Sequence, residues 1–174
     1  MIIAITGVAG VGKTSVAEML RRKTKWTLVR PDDIAKRKKL YLGYDKKRRS
    51  RIVDLGKLKK EIRFIARSGG NVIVESLYSH FLDADVVVVL RCSPDVLEKR
   101  LKRKYSWPTK ILENKEAELI GVVTQEALDK YGRSKVLEFD TTKSTPTRTA
   151  DEIISALTEK SERRGRFAGR ISWM

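Results

Sequence analysis

Near the N-terminus, Gly7, Val8, Ala9, Gly10, Val11, Gly12, Lys13 and Thr14, with Ser15 after them, fit the pattern G-x-x-x-x-G-K-[ST]. Glycines let a main chain close around a small anion, with its N–H groups pointing inward. A lysine adds a point charge, and a hydroxyl adds a hard oxygen ligand. That combination suits nucleotide phosphates. Lys13 is expected to reach the β- and γ-phosphates and Thr14 to hold Mg²⁺, while Gly10, Val11, Gly12 and Ser15 complete the cradle. A second group capable of chemistry is Glu75, the acid that ends the strand pattern Asn71-Val72-Ile73-Val74. A carboxylate at the C-terminal end of a strand is where a phosphate-binding-loop protein holds its Mg²⁺ shell, although strand ends also carry acids simply as turn residues.

Such a cradle needs a strand to feed it and a helix to leave it. Residues 1–5 form a short apolar run suited to a buried parallel strand, and Val16, Met19 and Leu20 recur at helical spacing from about Lys13 onward. Further strands are predicted at 26–29, 71–75, 85–90 and 135–139. Between them lie helical patterns. One covers 55–67 (Leu58, Ile62, Ile65). Another is opened by Ser93 and Pro94 (Val96, Leu97, Leu101). A long one spans 111–131 (Ile120, Val123, Ala127, Tyr131), and a last one starts at Thr145 and Pro146 (Ile153, Ile154, Leu157). Residues 105–110, with Trp107 and Pro108 inside, predict a mobile loop. This alternation predicts an α/β fold with a five-stranded parallel sheet, helices on both faces and ligands at the strand C-termini. From Ser161 the apolar periodicity fails. Arg163, Arg164, Arg166 and Arg170, with Gly165 and Gly169, predict a flexible basic tail over 161–174 after a single domain over 1–160.

The chain has 174 residues and a net charge of +16, more than solubility requires, which predicts attraction to polyanions. Nine basic residues against one acid lie between Lys36 and Arg51. No apolar run approaches a membrane span, the N-terminus lacks the basic lead of a secretory signal, and the single cysteine, Cys92, cannot form an internal disulfide. A cytoplasmic location is the expectation. No Ser-His-Asp arrangement, zinc-ligand cluster or dinucleotide fingerprint competes with the phosphate loop.

Beyond that loop, Asp33-Ile34-Ala35 followed by Leu40-Tyr41-Leu42-Gly43-Tyr44-Asp45, Arg100-Leu101 with Arg103 and Tyr105, and Lys110-Ile111 with Glu113-Asn114 and Glu116-Ala117-Glu118 resemble segments of one family. It is the atypical adenylate kinase family that doubles as a small-ribosomal-subunit maturation factor, in its archaeal branch. The resemblance covers most of the chain. It implies a P-loop nucleoside monophosphate kinase that uses ATP and Mg²⁺ to phosphorylate a monophosphate, usually AMP, and that also has ATPase activity. The ribosomal role would bring a small-subunit ribosomal protein or rRNA as partner. An alternative is an ATP-gated assembly factor with little kinase activity. The resemblance further implies a monophosphate-binding lobe over about 30–53, with Asp33, Lys36, Arg37, Tyr41 and Tyr44 as acceptor-site residues. A short lid would cover about 102–112, with Arg103 on the ATP phosphates, and Lys143 would lie near the adenine. Two positions depart from the family pattern. Lys36 stands where the family has an arginine, and a point charge holds phosphate with looser geometry than a guanidinium fork. Leu77 stands where the family tends to have a histidine, and the only histidine here, His80, lies three residues later.

Overall fold

The structure is a computed structural model, and it describes residues 1–46, 50–159 and 164–173. Five parallel strands form one sheet: β1 (Ile2–Thr6), β2 (Thr27–Val29), β5 (Val72–Glu75), β6 (Val86–Arg91) and β7 (Val136–Asp140), in the order β2-β5-β1-β6-β7. All five were expected from the apolar runs, and the architecture is the expected α/β fold around a parallel sheet. Residues alternate across a strand, so each strand serves two cores. Ile3, Ile5, Val86, Val88 and Leu90 meet α1 (Lys13–Thr24), α4 (Pro94–Lys102) and α7 (Pro146–Thr158) on one face. Ala4, Val87 and Val89 meet α6 (Val122–Tyr131) on the other. Val72 and Val74 extend that second face onto α2 (Pro31–Lys38) and α3 (Leu55–Arg67).

Two expectations change, and one stretch without an expected element takes shape. The basic stretch 36–51 closes α2 and then forms an antiparallel hairpin, β3 (Tyr41–Asp45) with β4 (Ser50–Val53); Lys47, Arg48 and Arg49 lie outside the described residues. The long helix expected over 111–131 is two helices, α5 (Pro108–Leu119) and α6, broken at Gly121. There φ is +68°, a left-handed conformation that costs other residues about 1–2 kcal/mol. Helix α5 begins with Pro108 in its first turn, where a proline lacks nothing it needs, so Lys110 is helical rather than part of a loop.

The C-terminal segment is also different from the flexible tail expected. Arg163 lies outside the described residues, but 164–173 pack against the β7 edge. Ala168 is fully buried, Arg133 donates to the Ala168 carbonyl at 2.6 Å, and the Arg170 N–H donates to Glu138 Oε2 at 2.8 Å. The apolar anchors are Phe167, against the Phe139 ring, and Ala168, and hydrogen bonds of Arg133 and Arg170 complete the docking, so no repeating apolar stripe announces it. Among the described residues, no helix is long and apolar enough to cross a membrane.

Candidate active site

The loop from Gly7 to Gly12 joins β1 to α1 at the C-terminal edge of the sheet. Gly7 is required twice over. Its φ is +135°, and a Cβ there would stand 2.5 Å from the Leu90 carbonyl oxygen. The loop curls around the Lys13 side chain, which is 8 % exposed and donates from Nζ to the Gly7 and Val8 carbonyls at 2.9 Å each. Burial lowers the Lys13 pKa to about 8, with Glu75 pulling in the opposite direction. An ammonium held in this way is poised to regain full charge stabilisation from an incoming anion.

A cleft of 330 Å³ opens over the loop, lined by Lys13, Thr14, Asp32, Glu75, Lys104 and Tyr105 among others. Thr14 Oγ1 donates to Glu75 Oε1 at 3.3 Å. Arg30 approaches Glu75 Oε2 through Nε at 3.4 Å while its Nη2 pairs with Glu18 at 2.6 Å. A hydroxyl and a carboxylate side by side at an open cleft are hard oxygen donors that fit Mg²⁺, which keeps several waters and leans on substrate phosphates. Among the described residues, no three His, Cys, Asp or Glu side chains cluster into a metal cage. A second cleft, also 330 Å³, flanks the loop on its other side, between Gly10, Ser15, Arg100, Thr141 and Pro146. There Thr141 Oγ1 donates to the Val11 carbonyl at 2.8 Å, and Arg100 is fixed on the Thr141 carbonyl at 2.7 Å.

Of the residues singled out in the sequence, the loop residues, Lys13, Thr14 and Glu75 are brought together. Arg103 caps α4 and is exposed, and its neighbours Lys104 and Tyr105 line the cleft. Asp33, Lys36 and Arg37 are exposed on α2, and Asp32 reaches the cleft. Tyr41 lies under the Arg51 guanidinium at 4.7 Å, whereas Tyr44 is exposed on the hairpin. Lys143 borders a smaller hollow with Asp140 and Arg148. His80 is buried between Thr6 Oγ1 (2.8 Å) and Glu126 Oε2 (3.0 Å), and Leu77 lines the cleft. Sequence reasoning missed Arg30 and Asp32, whose only signal was their position just after a strand, and Asn114, whose Oδ1 accepts the Ala9 N–H at 3.1 Å.

Residues 3–121 match the family model described as "AAA domain". A Methanocaldococcus jannaschii protein named "Putative adenylate kinase" is 37% identical over 165 residues, covering 95% of this chain and 90% of that protein. The chain belongs to the P-loop nucleoside monophosphate kinase family. Solved structures support the fold assignment. An Acinetobacter baumannii shikimate kinase aligns with a TM-score of 0.61 at 14% identity, over 90% of this chain and 92% of its own. A deoxyadenosine kinase from M. mycoides with bound dATP aligns with a TM-score of 0.58 at 15% identity, over 91% and 100%. The family's phosphate loop thus sits here on its usual strand and helix.

Proposed function

We propose that this family member transfers the γ-phosphoryl group of ATP to a nucleoside monophosphate, with AMP as the preferred acceptor, and hydrolyses ATP when no acceptor is bound. The observation that carries the reading is the buried Lys13 ammonium inside a closed glycine loop, with Thr14 and Glu75 3.3 Å apart beside it. Phosphoryl transfer is mainly positioning and charge neutralisation. The loop amides and the α1 N-terminus hold the β-phosphate, and Lys13 stabilises charge on the transferred group. Thr14 and Glu75 would hold Mg²⁺, which supplies further neutralisation of the phosphates. The cleft beyond Gly10, towards Arg100, Thr141 and Lys143, takes the adenosine. The lobe over 30–53, with Asp33, Lys36, Arg37, Tyr41 and Tyr44, takes the monophosphate, and Arg103 closes from the lid. The likeness to the archaeal protein named "Putative adenylate kinase" supports the same reaction. ADP formation from ATP, measured with and without each monophosphate, tests this reading. Stimulation by AMP well above the other acceptors is expected, and no stimulation by any monophosphate would overturn it.

A second reading rests on the charge. Net +16 exceeds what two small phosphorylated ligands need, and the hairpin exposes Leu42, Tyr44 and Ile52 beside Arg51. Basic and aromatic side chains together suit single-stranded nucleic acid. In this reading the protein also acts in small ribosomal subunit maturation, contacting rRNA or a ribosomal protein, with ATP turnover releasing the complex.

A further inference from the structure

Helix α5 carries Asn114 and Glu118 one turn apart, on one face, and each ends in a different part of the molecule. Asn114 Oδ1 accepts the Ala9 N–H at 3.1 Å, while its Nδ2 donates to the Lys110 carbonyl at 2.7 Å and so fixes the amide. Glu118 is buried beside Arg91 and Glu138, all three at 3 % exposure or less by side chain. Its Oε1 accepts Arg91 Nε at 2.7 Å, the Cys92 N–H at 3.1 Å and the Trp173 indole N–H at 3.0 Å. Glu138 accepts Arg91 Nη1 at 2.8 Å and Thr124 Oγ1 at 2.6 Å through Oε1, and the Arg170 N–H at 2.8 Å through Oε2.

Two buried carboxylates thus share one guanidinium. A buried charge excess persists only when other donors satisfy it. Here residues 170 and 173 supply two of those donors, so the C-terminal segment is part of the network that seats the end of α5. One turn earlier on the same helix face, Asn114 holds a phosphate-loop amide. A second link runs from the network to the loop, since Thr141 Oγ1 lies 2.8 Å from the Val11 carbonyl and 2.9 Å from the Arg91 carbonyl.

We propose that the segment carrying Trp173 is a latch for the phosphate loop: the Trp173 indole N–H on Glu118 holds α5 where Asn114 fixes the Ala9 peptide. Trp173, Glu118 and Asn114 are positioning residues, since none of them reaches the cleft over Lys13. For nucleotide affinity the inference rests on the ATP reading above, because a loop fixed before binding loses less freedom on binding. For the shape of the empty loop it stands on its own.

The test uses the full chain with Trp173→Phe, Asn114→Ala and the pair together. Amide hydrogen exchange at Ala9 is followed in the nucleotide-free protein, with Ala4 inside β1 as the internal reference, and ATP affinity is measured by calorimetry. Loss of one hydrogen bond should speed Ala9 exchange and weaken ATP binding by about three- to tenfold, leaving Ala4 unchanged. The double variant should be no worse than Asn114→Ala alone, because both act through one path. Trp173→His, which keeps a ring N–H, should recover most of the loss, and it also serves if the phenylalanine variant folds poorly. Unchanged Ala9 exchange in Trp173→Phe, or single effects that simply multiply, would overturn the latch. If the wild type binds no ATP, the nucleotide reading fails, and Ala9 exchange still decides the latch.

Discussion

Lys13 is the residue on which the site turns, and its burial has a consequence that pH exposes. Its folded pKa, about 8, lies below the ordinary 10.5. Between these values the unfolded chain binds more protons than the folded one, so this group's contribution to stability rises with pH across that window. Below pH 8 the cost of burying the ammonium is felt in full. Lys13→Met removes the group. The stability of the wild type relative to this variant should therefore rise from pH 7 to pH 10, which parallel melting curves would read. Bound phosphates raise the lysine pKa again, so ATP binding above pH 8 should take up protons and weaken as pH rises. Calorimetry in buffers of differing ionisation enthalpy measures both. Turnover in Lys13→Met should fall about 10²–10³-fold, the loss known for one transition-state donor. Glu75 makes a separate claim. With Thr14 at 3.3 Å and Arg30 at 3.4 Å, Glu75→Gln should shift the Mg²⁺ dependence of turnover to higher concentration and leave metal-free nucleotide binding nearly intact. Superimposable Mg²⁺ titrations would return Glu75 to the role of a strand-end turn residue.

At the scale of elements, Gly121 divides what periodicity presents as one helix. Gly121→Ala should cost about 1–2 kcal/mol, seen as a lowered denaturation midpoint. The atoms nearest its Cβ would be those of the Arg91 guanidinium, at an ordinary contact distance of 3.6 Å, so the cost is conformational. A variant as stable as the wild type would show that α5 and α6 can join. The five sheet strands were legible because each is an apolar run with little else to be, and the loop, Lys13, Thr14 and Glu75 were legible because strand ends fix where they lie. Less was legible where polar contacts between distant residues decide the outcome. The hairpin after α2 has apolar residues, but Leu42, Tyr44 and Ile52 face solvent, so no buried-exposed alternation announces it. Asp32 rather than Asp33 reaches the cleft because of helical phase within one turn. The C-terminal segment docks on Glu138 and Glu118, two carboxylates that in the sequence look like surface acids. Burial pushes the Glu118 carboxyl pKa up while Arg91 opposes the rise, a conflict that exists only once the fold has formed.

For the molecule as a whole, the excess of positive charge should show itself as salt dependence. If phosphate contacts dominate, RNA affinity should fall by about 10³–10⁵ between 50 and 200 mM salt for six to ten contacts. Arg51→Ala, which removes a hairpin cation seated on Tyr41, should flatten that slope by about one contact. The absence of measurable RNA or ribosomal-protein binding even at low salt would leave the charge as solvation and remove the second reading.

The strand order has a consequence for how the chain reaches this structure. Strand β1 is made first, yet its neighbours are β5 and β6, with Ile3 pairing Ile73 and Val86. On a ribosome it must therefore wait for some seventy residues before either side is covered, and long-range parallel pairing is slow to nucleate. Strand β6, four valines, a leucine and Arg91 with every residue buried, waits in turn for β7, the last strand of the sheet. Until Val136 emerges, that apolar run has an open edge of the kind that templates aggregation. Refolding yield should accordingly fall with protein concentration, and a fragment ending before β7 should collect in the pellet while the full chain stays in solution.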